Sequence, residues 1–138
     1  MPRMNAPELL AFLAREFPQS RPERYRIDTV EDGRLVFRYS TTDADLRPGD
    51  TIAGPTLMSL ADVGMYLAVL SAIGPVALAV TTNLGINFLR KPSPGELTVE
   101  TLLLKLGKQL AVGEVYIRSA ASDVLAHATV TYSIPRDR

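Results

Sequence analysis

The sequence predicts an α+β fold in which a curved antiparallel β-sheet wraps around one long central helix. Three observations lead there. Residues 54–73 form a helix-length segment that is apolar on nearly every side; a β-hairpin precedes it; and four strand-like segments separated by turn residues follow it. A helix without a polar face has to be enclosed, and a lone helix among strands is enclosed only when the sheet bends around it.

The 138 residues, 46% apolar and 22% charged, read as a single domain over 1–138, long enough to bury a core. Residues 1–20 carry an N-terminal surface helix and residues 54–73 the central helix. Fifteen basic and fifteen acidic residues cancel, so no global field favours nucleic acid, and no nucleic-acid-binding motif is present. With no cysteine, disulfides, thiolate metal sites and cysteine nucleophiles are excluded. A Ser-His-Asp triad would have to use the single histidine, His127.

The N-terminus has charges at Glu8, Arg15 and Glu16 where a signal peptide would be apolar, so the expected location is the cytoplasm. The uncharged run Val63 to Val80 approaches the length of a membrane span. Gly74-Pro75 interrupts it and neither flank carries a Lys/Arg cluster, so it reads as a buried helix followed by a buried strand, with no membrane partner.

Taken in order, Pro7 to Phe17 repeats apolar residues at helical spacing, with Asn5 placed to cap it and Pro18 to stop it. Tyr25 to Glu31 and Arg34 to Ser40 flank Asp32-Gly33, a two-residue hairpin signal. Thr41 to Thr51 is polar and reads as a loop. The central helix follows, with Gly54 as its N-cap and Pro55 as its first residue. Ala61, Gly64 and Ala68 line one ridge of small residues; Met58, Ser59, Asp62, Met65, Tyr66 and Val69 form another sector. Val76 to Leu89, Glu96 to Leu106, Gln109 to Ala120 and Val124 to Ile134 are four strands in meander-like order. On the last, His127 faces away from the apolar side, toward solvent or an interface.

Asp62 is the one charge in an otherwise apolar helix. Burying an unpaired carboxylate is costly, so the residue needs a partner or a task. Ser59, three residues back, and Tyr66, four ahead, are the local candidates for a partner. Gly54 begins the same helix, where free N–H groups and the helix dipole favour negative charge, including a carbonyl oxygen becoming an oxyanion. Asp62 lies eight residues further on. Acid and donor therefore meet on one small substrate only if a pocket runs along the helix or two copies of the chain combine.

The segment GPTLMSLADVGMYLA resembles the central helix of hot-dog-fold acyl-CoA thioesterases of the PaaI-type (phenylacetate-degradation) branch. That branch opens the helix with His-Gly-Gly and places its acid nine positions after the His. Ala53-Gly54-Pro55 and Leu60-Ala61-Asp62 share the spacing, and Ile86 to Leu97 (INFLRKPSPGEL) resembles the family's following strand and turn. The order of elements agrees from about Leu35 to Ile134.

The resemblance implies a thioesterase hydrolysing an acyl-CoA. Gly54 N–H would polarise the thioester carbonyl. Asp62, from the other subunit of a dimer, would act as general base or nucleophile. Thr81 would help position water, with Thr82 or Asn83 as substitutes if the register slips. Met58, Met65 and Tyr66 would line the acyl pocket. Arg90, Lys91 and the Lys105/Lys108 turn are candidates for the coenzyme A phosphates, or else solvated surface charges. No metal or cofactor is expected, since coenzyme A arrives as part of the substrate, and the expected assembly is a homodimer pairing into a homotetramer. The departures are Ala53 for the His, Pro55 for the second Gly, and Arg47 where many relatives have Asn. Arg47 would bind a substrate carboxylate or phosphate, or pair with Asp45 or Asp50. Loss of the His also motivates an alternative, a non-catalytic acyl-CoA-binding or sensing protein.

Overall fold

The computed structural model describes residues 2–136. Helix α1 (Ala6–Glu16) starts with a reciprocal capping box. Glu8 N–H donates to Asn5 Oδ1 at 2.9 Å, and Asn5 N–H to Glu8 Oε1 at 3.0 Å. It is less of a surface element than its sequence suggests, because Leu9, Phe12 and Leu13 are buried in the shared core.

Strands β1 (Tyr25–Glu31) and β2 (Arg34–Ser40) pair antiparallel across Asp32-Gly33, as the hairpin signal predicts. Thr41 to Thr51, expected as plain loop, holds a 3₁₀ turn (Asp43–Asp45) and most of a two-stranded ribbon, β3 (Leu46–Arg47) with β4 (Thr51–Ile52). Helix α2 (Gly54–Ile73) follows. Its N-cap is Ala53, so the helix begins at Gly54, one residue earlier than the sequence reading, and Pro55 is its second residue. Proline is tolerated there because first-turn N–H groups have no partner within the helix. At the other end, Gly74 N–H bonds Leu70 O at 2.8 Å.

Strands β5 (Val80–Phe88), β6 (Glu96–Leu106), β7 (Leu110–Arg118) and β8 (Val124–Ser133) complete the sheet. β5 starts at Val80, not Val76, because residues 77–78 turn. The strand order is β1-β2-β6-β7-β8-β5, entirely antiparallel. The four late strands are therefore not one meander. β6, β7 and β8 are, whereas β5 crosses to the far edge and pairs with β8, leaving β6 to join the hairpin. Alternation along a strand says which face is apolar but not which neighbour it takes.

The sheet curls around α2, which packs on β2, β5, β6, β7 and β8. Small residues allow the approach. A Cβ at Gly64 would stand 2.7 Å from Thr101 Oγ1 and 3.2 Å from a Val99 methyl; one at Gly113 would stand 2.7 Å from Met65 Sδ. By length and composition α2 could cross a membrane, but two thirds of its apolar window is buried inside this fold. The sheet's other face is wet, with Glu100 bridging Arg34 (2.7 Å) and Arg118 (2.8 Å) across three strands.

Candidate active site

Asp62 lies midway along α2, and its partners come from the far edge of the sheet. Thr81 Oγ1 donates to Asp62 Oδ1. Tyr132 O–H donates to the same Oδ1 at 2.9 Å and lies 3.2 Å from the Asp62 carbonyl oxygen. Thr81 and Tyr132 are cross-strand neighbours in β5 and β8, which is why both reach one carboxylate. Beside Thr81 the ladder shifts by one residue, and the extra residue, Thr82, turns its hydroxyl to Thr131 O at 3.3 Å. A bulge of this kind re-aims side chains. Of the Thr81, Thr82 and Asn83 candidates, the structure brings only Thr81 to Asp62. The local partners considered from sequence, Ser59 and Tyr66, make no hydrogen bond to the acid.

With Oδ1 held twice, Asp62 Oδ2 has no donor among the described residues. Asp62 borders a cavity of about 440 Å³ lined also by Glu16, Phe17, Val63, Tyr66, Ala79 and Tyr132, among others. Burial, reinforced by the nearby Asp62 charge, pushes the Tyr132 phenol well above its ordinary value, so it remains a donor. Tyr66 O–H is committed to Ala77 O at 3.0 Å, and burial raises that phenol too. Its ring lies against Phe12, Phe17 and Tyr132.

Gly54 opens onto a different cleft, of about 610 Å³, shared with Leu57, Phe88, Arg47, Arg90 and Lys91. In the first turn of α2, Thr56 and Leu57 N–H both point to Ala53 O, at 3.0 and 3.4 Å, and Pro55 has no N–H. The Gly54 N–H is left without an acceptor among the described residues, in a cleft carrying three cations. Eight residues of helix put it about 12 Å along the axis from Asp62, so the two functional groups of one chain face separate cavities.

The other candidates separate. Tyr66 lines the Asp62 cavity, whereas Met58 is exposed and does not. Met65 is fully buried against Gly113 in the core, which corrects its reading as a pocket residue. Asn83 is exposed on β5 beyond the bulge. Lys108 sits on the β6–β7 turn and lines neither cavity, and Lys105 borders another cleft beside Ala72 and Leu104. Arg47 does not pair with Asp45; Arg21 takes that place at 3.3 Å. His127 faces outward as predicted, 3.1 Å from a Glu114 oxygen with its ring against Tyr116.

Three contributors escape sequence reasoning. Tyr132 reads as core because it alternates with Val130 and Ala128, and only the β5–β8 pairing turns its hydroxyl toward the acid. Glu16 and Phe17 end a helix to which the sequence assigns no chemistry, yet they wall the cavity. Among the described residues no cluster of three metal-ligating side chains occurs.

A wrapped helix with an acid fixed at its middle and a free backbone donor at its start defines a class: residues 49–126 match the thioesterase superfamily, and the chain belongs to that family. Among solved structures, the chain is similar to a provisionally assigned thioesterase from Silicibacter sp. TM1040. The two are 40% identical with a TM-score of 0.88, over 98% of this chain and 94% of that one. It also shares its fold with the PaaI protein from the phenylacetic acid degradation operon of E. coli, at 24% identity and a TM-score of 0.78, over 91% and 90% of the chains. A hypothetical thioesterase from Streptococcus pneumoniae TIGR4, solved with coenzyme A, has the same fold at 24% identity and a TM-score of 0.73, over 82% and 87%.

Proposed function

We propose that the protein hydrolyses an acyl-CoA thioester to the free acid and coenzyme A, as a cytoplasmic enzyme of the PaaI-type branch. The observation that carries this reading is the Asp62 carboxylate, with one oxygen fixed by Thr81 and Tyr132, on a residue that borders a cavity. In the proposed reaction Gly54 N–H stabilises the negative charge that develops on the thioester oxygen. Asp62 Oδ2 either takes a proton from the attacking water or adds to the carbonyl carbon, giving an anhydride that water opens. Either route breaks the C–S bond and releases the coenzyme A thiolate. Arg47, Arg90 and Lys91 offer positive charge for the phosphates of coenzyme A in the Gly54 cleft, and a relative of the same fold was solved with coenzyme A.

Acid and donor come together in this reading across a homodimer, which pairs further into a homotetramer. Its support is the sheet edge: β5 is the end strand, and Leu78, Val80, Phe88 and Leu89 beside it are all more than half exposed. The test is thiol release across short, long and aryl acyl-CoAs, with Asp62→Asn in parallel. That variant should keep fold and assembly and lose at least about tenfold in kcat, equivalent to 1.4 kcal/mol. An unchanged kcat on a good substrate sinks the mechanism. Ala53, in the place of the family's imidazole, favours a second reading: binding without turnover. Ligand-dependent thermal stabilisation with no thiol release from any acyl-CoA would establish it.

A further inference from the structure

The end of α2 that presents Gly54 is held by a carboxylate the proposed chemistry does not use. Asp45 closes the 3₁₀ turn before β3 and is only 3% exposed. Its Oδ1 accepts from Tyr39 O–H at 3.1 Å, Arg21 Nη2 at 3.3 Å and Thr56 Oγ1 at 3.3 Å. Its Oδ2 accepts from Tyr39 O–H at 3.0 Å and Thr42 N–H at 2.9 Å. Its backbone carbonyl takes the Ala53 N–H at 2.7 Å. So many partners around one buried acid go beyond what a surface turn requires.

Helix N-termini are ordinarily secured by the N-cap side chain. Ala53 has none to offer, and no side chain caps α2. Asp45 supplies the missing anchor from outside the helix. It grips Thr56 in the first turn, fixes Ala53 through the main chain, and places negative charge near the positive end of the dipole. Its third connection runs the other way. Arg21, held at φ 57°, ends the segment that begins with Glu16 and Phe17, the two residues walling the Asp62 cavity.

We propose that Asp45 is a positioning residue. Its carboxylate holds the first turn of α2 so that Gly54 N–H faces the cleft, and through Arg21 it pins the strap bordering the acid's cavity. The proposal rests on the thioesterase reading and adds a residue to it. In this proposal Asp45 acts through Gly54 and through the strap.

The test uses the full chain with Asp45→Asn, Thr56→Val and Thr56→Ser, each measured for kcat, KM and amide hydrogen exchange. Asp45→Asn and Thr56→Val should lower kcat at least about fivefold with KM within about twofold, and Thr56→Ser should restore it. In the first two variants, exchange at Thr56 and Leu57 should quicken about tenfold while residues 65–70 hold their rates. Unchanged kcat, unchanged exchange at Thr56 and Leu57, or an increase spread evenly along α2 overturns the proposal. Asp62→Asn is run alongside. Its full activity would remove the acid mechanism alone, because the effects of Asp45→Asn on kcat and exchange are read without reference to Asp62.

Discussion

Asp62 and Gly54 sit on one helix, but each owes its chemical character to different neighbours. The carboxylate is defined by two hydroxyls from β5 and β8, the donor by what is missing around it. Thr56 and Leu57 share the Ala53 carbonyl, Pro55 has no N–H, and the Gly54 N–H has no acceptor among the described residues. That permits a backbone test seldom available for an oxyanion donor. Proline is accepted at the first helical position, and Ala53, at φ −66° and ψ 142°, already has the extended conformation a residue before proline prefers. A Cβ at Gly54 would meet only the Phe88 ring, at 3.4 Å. Residue 54 itself precedes Pro55, which disfavours its helical conformation, so circular dichroism and thermal unfolding first check that Gly54→Pro keeps the helix. In the folded variant kcat should fall by about 10²–10³, the usual cost of one oxyanion donor. Wild-type turnover in that variant would mean the carbonyl is polarised elsewhere.

At the scale of the element, α2 is held close to the sheet by the absence of side chains. Gly64 faces Thr101 Oγ1, a fully buried oxygen with no hydrogen-bond partner among the described residues, on a short side chain that has little room to retreat. Gly64→Ala should thus lose stability, by about 1–3 kcal/mol as overpacking typically costs, despite alanine's better helix propensity. Urea unfolding reads this directly, and a neutral or stabilised variant would show that the helix can step back from β6. The ridge Ala61, Gly64 and Ala68 was legible as a ridge from the 3.6-residue period. What it faces was not, because the period fixes a direction around the helix and says nothing of the strand lying there.

For the molecule as a whole, two chains are proposed to complete each site, and complementation tests that directly. Asp62→Asn and Gly54→Pro subunits should each retain no more than about one tenth of wild-type activity alone. Mixed by co-expression, half the dimers are heterodimers with one intact site of two, so activity should return to about one quarter of wild type. No recovery places acid and donor on the same chain. The pH dependence of stability is also a whole-molecule property. Hydrogen bonds from Arg34 and Arg118 hold Glu100 below its ordinary value, so its contribution is present above the unfolded carboxylate range and is lost as the pH falls through the folded value. Burial raises the phenols of Tyr25, Tyr39, Tyr66 and Tyr132, whose contribution is full below their ordinary value of 10.0 and declines as the pH rises beyond it. Stability followed by denaturant midpoint should fall at both ends, with Glu100→Gln flattening the acid limb.

By itself the sequence determined the wrapped helix, the hairpin and its turn, the bounds of β1, β2 and β6, and the acid most worth testing. These are local properties: apolar period, turn chemistry, and one charge where charge is expensive. The tertiary structure alone decided that β5 crosses to pair with β8, that Tyr132 joins Thr81 on Asp62, that Met65 belongs to the core, and that Asp45 anchors the helix end. Each depends on which segments become neighbours, and alternation allows several pairings of equal local merit. The central helix α2 was readable because its environment is written into its own composition. Its partners, distant in sequence, became visible only once the sheet had closed around it.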